Sequence, residues 1–197
     1  MSLSSPSLED VEQAVRTLIR WAGDDPMREG LLETPNRIAS SFKELYAGYD
    51  VDPVVFLTKT FQEIYGYNEI ILLRQIPLIS HCEHHMLPII GHAHVGYLPH
   101  NRVVGISKLG HVVRTYAKRL QIQEKLTAQI ANTINDVLQP RGVGVVIEAE
   151  HLCITLRGLQ MPGVKMITSR MLGDFLTDPS IQRTFVTMIN TPSSSSR

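Results

Sequence analysis

The chain has 197 residues, 43% hydrophobic and 19% charged, with 19 basic side chains against 19 acidic ones and a formal net charge of zero. That is long enough for one substantial core with an appended segment, and the composition excludes extensive disorder. No global field recruits nucleic acid or an anionic membrane, so any anionic ligand must be held by local basic groups; no apolar run approaches the roughly 20 residues of a membrane span.

In chain order, residues 1–7 lack both a basic n-region and an apolar h-region, so a cytoplasmic rather than secreted protein is expected. Leu8, Val11, Val15, Leu18 and Ile19 recur at helical spacing, and Ser7 with Asp10 has the form of a capping box. Thr34-Pro35 predicts a second helix with Thr34 at N-cap and Pro35 at N1, its stripe of Ile38, Phe42 and Leu45 ending near Gly48. These two helices read as a lid or packing arm rather than the chemical centre. A loop with Pro53 and Gly66 follows. Residues 69–78 form a β-like apolar run. Residues 89–98 alternate, with Ala93, Val95 and Tyr97 on one face and His92, His94 and Gly96 on the other. That alternation keeps His92 and His94 with the polar face rather than with a ligand set. A turn at Pro99-His100-Asn101 leads into residues 103–106.

Ser107 is expected to cap a long helix bearing Leu109, Val112, Val113, Tyr116 and Leu120. A second helix carries Leu126, Ile130, Ile134 and Leu138 and stops at Pro140. Residues 143–148 predict a strand, and after a tight turn residues 151–157 predict another. In that last strand His151, Cys153, Thr155 and Arg157 would share one face, with Leu152, Ile154 and Leu156 toward the core. Asp178-Pro179 opens a final helix with Phe185 and Ile189, and residues 192–197 read as a frayed end. There is no internal repeat. Helices, three strands, two consecutive helices and further strands make an α+β layer, not a doubly wound sheet.

The chemistry concentrates in His81-Cys82-Glu83-His84-His85 and, far downstream, His151-Leu152-Cys153. The chain has only two cysteines, each within three residues of a histidine, and seven of its eight histidines fall between His81 and His111. Thiolate and imidazole bind zinc, and a catalytic zinc keeps three protein ligands and leaves the fourth position to water. Cys82, His85 and Cys153 make such an open set, with His84 and His151 beside it as two spare imidazoles suited to hydrolytic acid–base chemistry. Two plainer readings compete: buried cysteines acting as small hydrophobes, and a Cys82–Cys153 disulfide. The clustered histidines argue against the first. Against the second, two cysteines in 197 residues are no disulfide framework, and a reduced pair is expected. Two other functions are weighed. A zinc nucleoside deaminase would use the His-x-Glu of His81-Cys82-Glu83, but the chain has no Pro-Cys-x-x-Cys. A zinc-stabilised oligomeric scaffold would close its site with four protein ligands.

Several segments, in order, resemble the signature of the GTP cyclohydrolase I family. They are Cys82-Glu83-His84-His85, Gly96-Tyr97-Leu98-Pro99, Gly105-Ile106-Ser107-Lys108, Gln121-Ile122-Gln123-Glu124-Lys125-Leu126-Thr127, Gly142-Val143-Gly144-Val145, His151-Leu152-Cys153, Arg157-Gly158 and Thr168-Ser169. The likeness runs from Thr34 to Ile189. It implies an enzyme that opens the guanine imidazole ring of GTP hydrolytically, releasing formate and giving 7,8-dihydroneopterin triphosphate, the first step of pterin and folate synthesis. It also implies the tunnelling fold over residues 67–190, preceded by a helical segment at 1–66 and followed by a flexible tail at 191–197. Subunit sheets would join side by side into a barrel, stacked rings would give a homodecamer, and active sites would lie between subunits.

Residue by residue, the resemblance puts one zinc per subunit on Cys82, His85 and Cys153, and catalysis on His84 and His151. It assigns guanine binding to Gln123 and Glu124, and the triphosphate and ribose to Ser107, Lys108, Arg157 and Arg37. Two positions depart from the pattern. His111 stands where many members carry Arg, and Ser40 where some carry Lys, and both thin the basic lining for the triphosphate. The residue types suit the reaction. Opening a purine imidazole ring needs water at C8 once N7 is protonated, and zinc lowers the pKa of bound water to about 7. A carboxylate such as Glu124 can accept two parallel bonds from guanine N1 and N2, which adenine cannot supply. The expected partners are GTP and further copies of the chain, with neither nucleic acid nor membrane.

Overall fold

The computed structural model describes residues 5–62 and 64–191, so the frayed end expected at 192–197 lies outside them. The chain divides into two compact units, Met1–Ala47 and Gly48–Arg197.

In the first unit, α1 (Leu8–Trp21) begins with the expected capping box: the Asp10 amide donates to Ser7 Oγ at 3.2 Å and the Ser7 amide to Asp10 Oδ2 at 2.9 Å. Helix α2 (Thr34–Leu45) packs on it, and Asn36 donates to the Glu12 carboxylate at 3.3 Å. The N-cap of α2 differs from the expectation. Glu33 occupies it without a side-chain bond, and Thr34 is already helical. Pro35 tolerates this because the first helical residues have no intrahelical partner for an N–H that proline lacks anyway.

The second unit is built on a five-stranded sheet. In chain order its elements are β1 (Thr60–Phe61), β2 (Ile71–Cys82), β3 (Pro88–Leu98), β4 (Val103–Val104), α3 (Ile106–Ala117), β5 (Leu120–Gln121), α4 (Gln123–Leu138), β6 (Gly142–His151), α5 (Leu152–Thr155), β7 (Lys165–Gly173), α6 (Asp174–Thr177) and α7 (Pro179–Asn190). The sheet order is β5-β2-β3-β6-β7, antiparallel except for the short β5–β2 pair, while β1 and β4 form a separate ribbon. This is the expected α+β arrangement, with α3 and α4 consecutive between β4 and β6 and only the two-residue β5 between them.

The alternation does what period 2 dictates. Ala93, Val95 and Tyr97 of β3 and Val143, Val145 and Ile147 of β6 are buried against Leu109, Val112 and Val113 of α3 and Leu126, Ile130 and Ile134 of α4. His92 is exposed and His94 half-buried on the opposite face, as expected.

Three local expectations are corrected. Ser107 lies inside the first turn of α3; the N-cap is Gly105, without a side-chain bond. Leu120 lies beyond that helix, on β5. The strand expected at 151–157 does not exist. Strand β6 runs unbroken to His151, which pairs with Ile89, and its other neighbour reaches only as far as Lys165 opposite Glu150. Past that point no strand stands ready on either side, so the backbone satisfies itself in the helical turn α5, closed by the Leu156 amide on the Leu152 carbonyl at 3.0 Å. Alternation cannot reveal where ladder partners end. It also missed β7, whose polar and charged Lys165, Thr168, Ser169 and Arg170 break the apolar pattern.

On the sheet face away from α3 and α4, α6 and α7 bring Phe175 and Phe185 together edge to face, ring centroids 5.2 Å apart, both fully buried. Gly96 and Gly144 make room for them: a Cβ at Gly96 would lie 2.8 Å from the Phe185 ring, and one at Gly144 would lie 2.5 Å from Phe175. Removing a fully buried aromatic from so tight a seat leaves a cavity. Phe185→Ala should therefore cost about 3–5 kcal/mol, read as a lowered thermal or denaturant midpoint. A midpoint equal to wild type would show that this face contributes little to stability.

Candidate active site

Cys82 is the last residue of β2, and the chain reverses immediately after it. The Cys82 carbonyl accepts from the His85 amide at 3.3 Å and the Met86 amide at 2.8 Å, while the Cys82 amide donates to the Leu87 carbonyl at 2.9 Å. Met86 takes the left-handed conformation, φ 55°, to close the turn. The Glu83 amide donates to the Gln121 carbonyl at 3.0 Å and ties the turn to β5. His84 and His85 are thereby exposed, with Nδ1 of each 3.7 and 3.8 Å from Cys82 Sγ.

Cys153 arrives from the other direction, where β6 ends at His151 and α5 begins. Cys82, His85 and Cys153 bring one ligand atom each to within 4.8 Å of one another, the only such group of three among the described residues. His84 is as near Cys82 as His85 is, so it is Cys153 that singles out His85. Both cysteines are buried free thiols. Burial and then the neighbouring Cys82 push the Cys153 thiol pKa up. Two thiolates this close need a cation between them, and a Cys-His-Cys donor set suits zinc. The residues fit the metal.

His151 lies beside this group. Its Nε2 is 2.8 Å from Gln123 Oε1. Burial holds the His151 pKa below the usual histidine range, and the Glu124 charge pulls it part of the way back. Glu124 is the exposed neighbour of buried Gln123 in the first turn of α4. Arg157, just past α5, is near enough for its charge to oppose the upward shift at Cys153. One end of the sheet thus gathers Cys82, His84, His85, Gln123, Glu124, His151, Cys153 and Arg157.

The remaining sequence-derived residues lie elsewhere. Ser107 and Lys108 occupy the first turn of α3, whose other end leads through Lys118 and Arg119 into β5 beside Cys82. A helix of 12 residues is about 18 Å long, so within one chain these two stand a helix length from the metal group. His111, on the same helix face as Lys108, is exposed and stacks on Phe56, with centroids 4.9 Å apart and planes at 15°. Arg37 and Ser40 belong to α2 in the first unit.

Thr127 and Thr168, to which no sequence argument gave a role in the site, hold Gln123 from behind, Thr127 at its backbone and Thr168 at its side chain. Thr127 Oγ1 donates to the Gln123 carbonyl at 2.7 Å, and Gln123 Nε2 donates to Thr168 Oγ1 at 3.1 Å. Both threonines lie in segments that resemble the family signature, residues 121–127 and Thr168-Ser169, but the resemblance gives neither a role.

The family described as GTP cyclohydrolase I matches residues 11–190. GTP cyclohydrolase 1 of Allorhizobium ampelinum is 55% identical over 186 residues, covering 94% of this chain and 92% of that protein. A crystal structure of the archaeosine synthase QueF-Like in the apo form gives a TM-score of 0.42 at 16% identity, over 53% of this chain and 94% of that one, a likeness too slight to bear on fold or function. With the matched region holding every element from α2 to α7 and all the residues gathered around Cys82, the chain belongs to the GTP cyclohydrolase I family and is a hydrolase.

Proposed function

We propose that the protein opens the imidazole ring of GTP by hydrolysis, releasing formate and giving 7,8-dihydroneopterin triphosphate. The observation that carries this reading is the convergence of Cys82, His85 and Cys153 with two further imidazoles, in a chain matched to this family over nearly its whole length.

Cys82, His85 and Cys153 would hold one zinc, which when bound lowers the pKa of water and supplies hydroxide at neutral pH. The protein's own groups do the rest. Glu124 accepts two parallel N–H bonds from guanine N1 and N2 and orients C8 toward the metal group. His84 and His151 exchange protons with the ring nitrogens as C8 is hydrated and the C–N bonds to it break. His151, held below the usual histidine range by burial, enters as a neutral imidazole able to accept a proton. Arg157 lies close enough to the metal group to hold the ribose or the nearer phosphates.

The placement of Ser107 and Lys108 supports an oligomer. They are a helix length from the metal group of their own chain, yet they are the anion-binding residues of the first turn of α3. A second copy presenting its α3 to the first would bring them to one substrate. The sheet offers the means: β7 is an edge strand with exposed Lys165, Ile167, Ser169 and Arg170 and no partner beyond β6 among the described residues, and such an edge is a template for strand addition. Strand addition around a ring would give the barrel, and stacked rings the decamer.

Three outcomes are expected. Cys153→Ala should lose zinc and turnover together, whereas His151→Ala should keep about one zinc per chain and lose 10²–10⁴-fold in kcat. Metal loss in both variants would make His151 a ligand. Glu124→Ala should weaken GTP binding by about 2–5 kcal/mol, and an unchanged Kd would remove the carboxylate from base recognition. Finally, copies carrying Cys153→Ala and copies carrying Lys108→Ala, each impaired alone, should recover activity when mixed, on the order of one site in four if they assort at random. No recovery in a verified mixed oligomer would place each site within one chain.

A further inference from the structure

We infer that Gln123 is a positioning residue: it fixes His151 as the Nε2–H tautomer and leaves Nδ1 as the nitrogen through which His151 exchanges protons. This rests on the proposed role of His151 in opening the ring, and it reassigns a residue that the family resemblance gives to guanine.

The argument is a count of donors and acceptors. Gln123 is fully buried. Its Nε2 lies 3.0 Å from the Ile147 carbonyl, 3.0 Å from the Met166 carbonyl and 3.1 Å from Thr168 Oγ1. Two of these three neighbours are backbone carbonyls, which only accept, so the amide NH2 group must face them. The flipped amide would set an oxygen against two oxygens.

The hydroxyls agree. Thr127 Oγ1 is 2.7 Å from the Gln123 carbonyl and must donate to it. Thr127 therefore accepts from Thr168 Oγ1, 2.7 Å away, which frees a lone pair on Thr168 for Gln123 Nε2. The bonds close into a ring: amide NH2 to Thr168, Thr168 to Thr127, and Thr127 to the backbone carbonyl of Gln123 itself. The two hydroxyl protons in it each have one direction, while the two amide N–H groups are shared among three acceptors, one of them bifurcated.

Gln123 Oε1 is the atom left, and it meets His151 Nε2 at 2.8 Å. An amide oxygen accepts, so His151 Nε2 carries the hydrogen. A histidine pinned at Nε2 gives up or takes a proton only at Nδ1. The Gln123 side chain, its amide committed to four groups of the protein, has no free donor for a base, so recognition of guanine falls to Glu124.

The test uses Gln123→Leu in the full-length, zinc-loaded protein, beside Thr168→Val as a milder break in the same ring. Three quantities are measured: zinc content, kcat together with the equilibrium Kd for GTP, and the tautomer of His151 by 15N NMR of histidine-labelled protein. The wild type should show the Nε2–H form. Gln123→Leu should keep its zinc and bind GTP within about twofold of wild type, while kcat falls by about 10- to 100-fold, the usual range for removing an outer partner of an active histidine. Thr168→Val should show the same split to a smaller degree, and it carries the test if Gln123→Leu does not fold. A Kd that weakens as much as kcat falls would return Gln123 to guanine binding. Loss of zinc would make it a support of the metal group, and an Nδ1–H form in the wild type would overturn the inference outright. Failure of the functional reading itself is separate: it would appear as no turnover of GTP by the wild type, with the tautomer still there to be read.

Discussion

The ladder between β3 and β6 is the constraint on which the rest of the protein depends. Ten residue pairs run from Leu98 opposite Gly142 to Ile89 opposite His151 without a break in register. Side chains alternate faces with period 2, so a slip by one residue would exchange the buried Ala93, Val95 and Tyr97 for the polar His92 and His94 and would carry His151 to the wrong side. The core opposes such a slip: fully buried Val143, Val145 and Ile147 meet the helices on one face only. The same pairing that buries the core therefore fixes the position of His151. Where the ladder runs out, the chain turns at both strand ends. The turn after Cys82 and the short helix after His151 come from those two ends, and the cysteines and His85 meet there.

Behind this end lies a buried polar group. Gln123 and Thr127 are held in a low-dielectric interior, with half-buried Thr168 at its edge, where an unmatched donor or acceptor is costly and a matched set is rigid. They come from α4 and β7, elements more than 25 residues apart in the chain. The network thus ties the helix that presents Glu124 to the strand that edges the sheet. It also joins the packing of the domain to its chemistry, since the last acceptor in the set meets His151.

Charge is distributed unevenly along the chain. The chain is neutral overall, yet no Asp or Glu occurs between Glu83 and Glu124. Within that stretch, Arg102 donates to the Leu138 carbonyl at 3.1 Å and Arg119 to the Gly48 carbonyl at 2.8 Å, so both are structural. Lys108 and Arg114 on α3 have no carboxylate partner among the described residues, and they give a neutral protein a local basic surface of the kind an anionic substrate requires.

The residue types and their local spacing were enough to single out the group of Cys82, His85 and Cys153, and the helical stripes of α3 and α4 and the alternation of β3 likewise follow from short-range pattern. Local pattern also sufficed for the α+β order, because helix and strand periods are properties of a few adjacent residues. It did not suffice for the path from His151 to Arg157. A strand exists only where a neighbour pairs with it, and residues 152–155 have none, so Cys153 reaches Cys82 from a helical turn rather than along a strand. Nor did it suffice for Gln123, since the carbonyls of Ile147 and Met166 that orient its amide lie far away in sequence. The same holds for Ser107 and Lys108, whose separation from Cys82 is set by the length and direction of α3 in the folded chain. Composition and spacing decided which groups the protein has. Long-range strand pairing, which no local pattern encodes, decided which of them stand together.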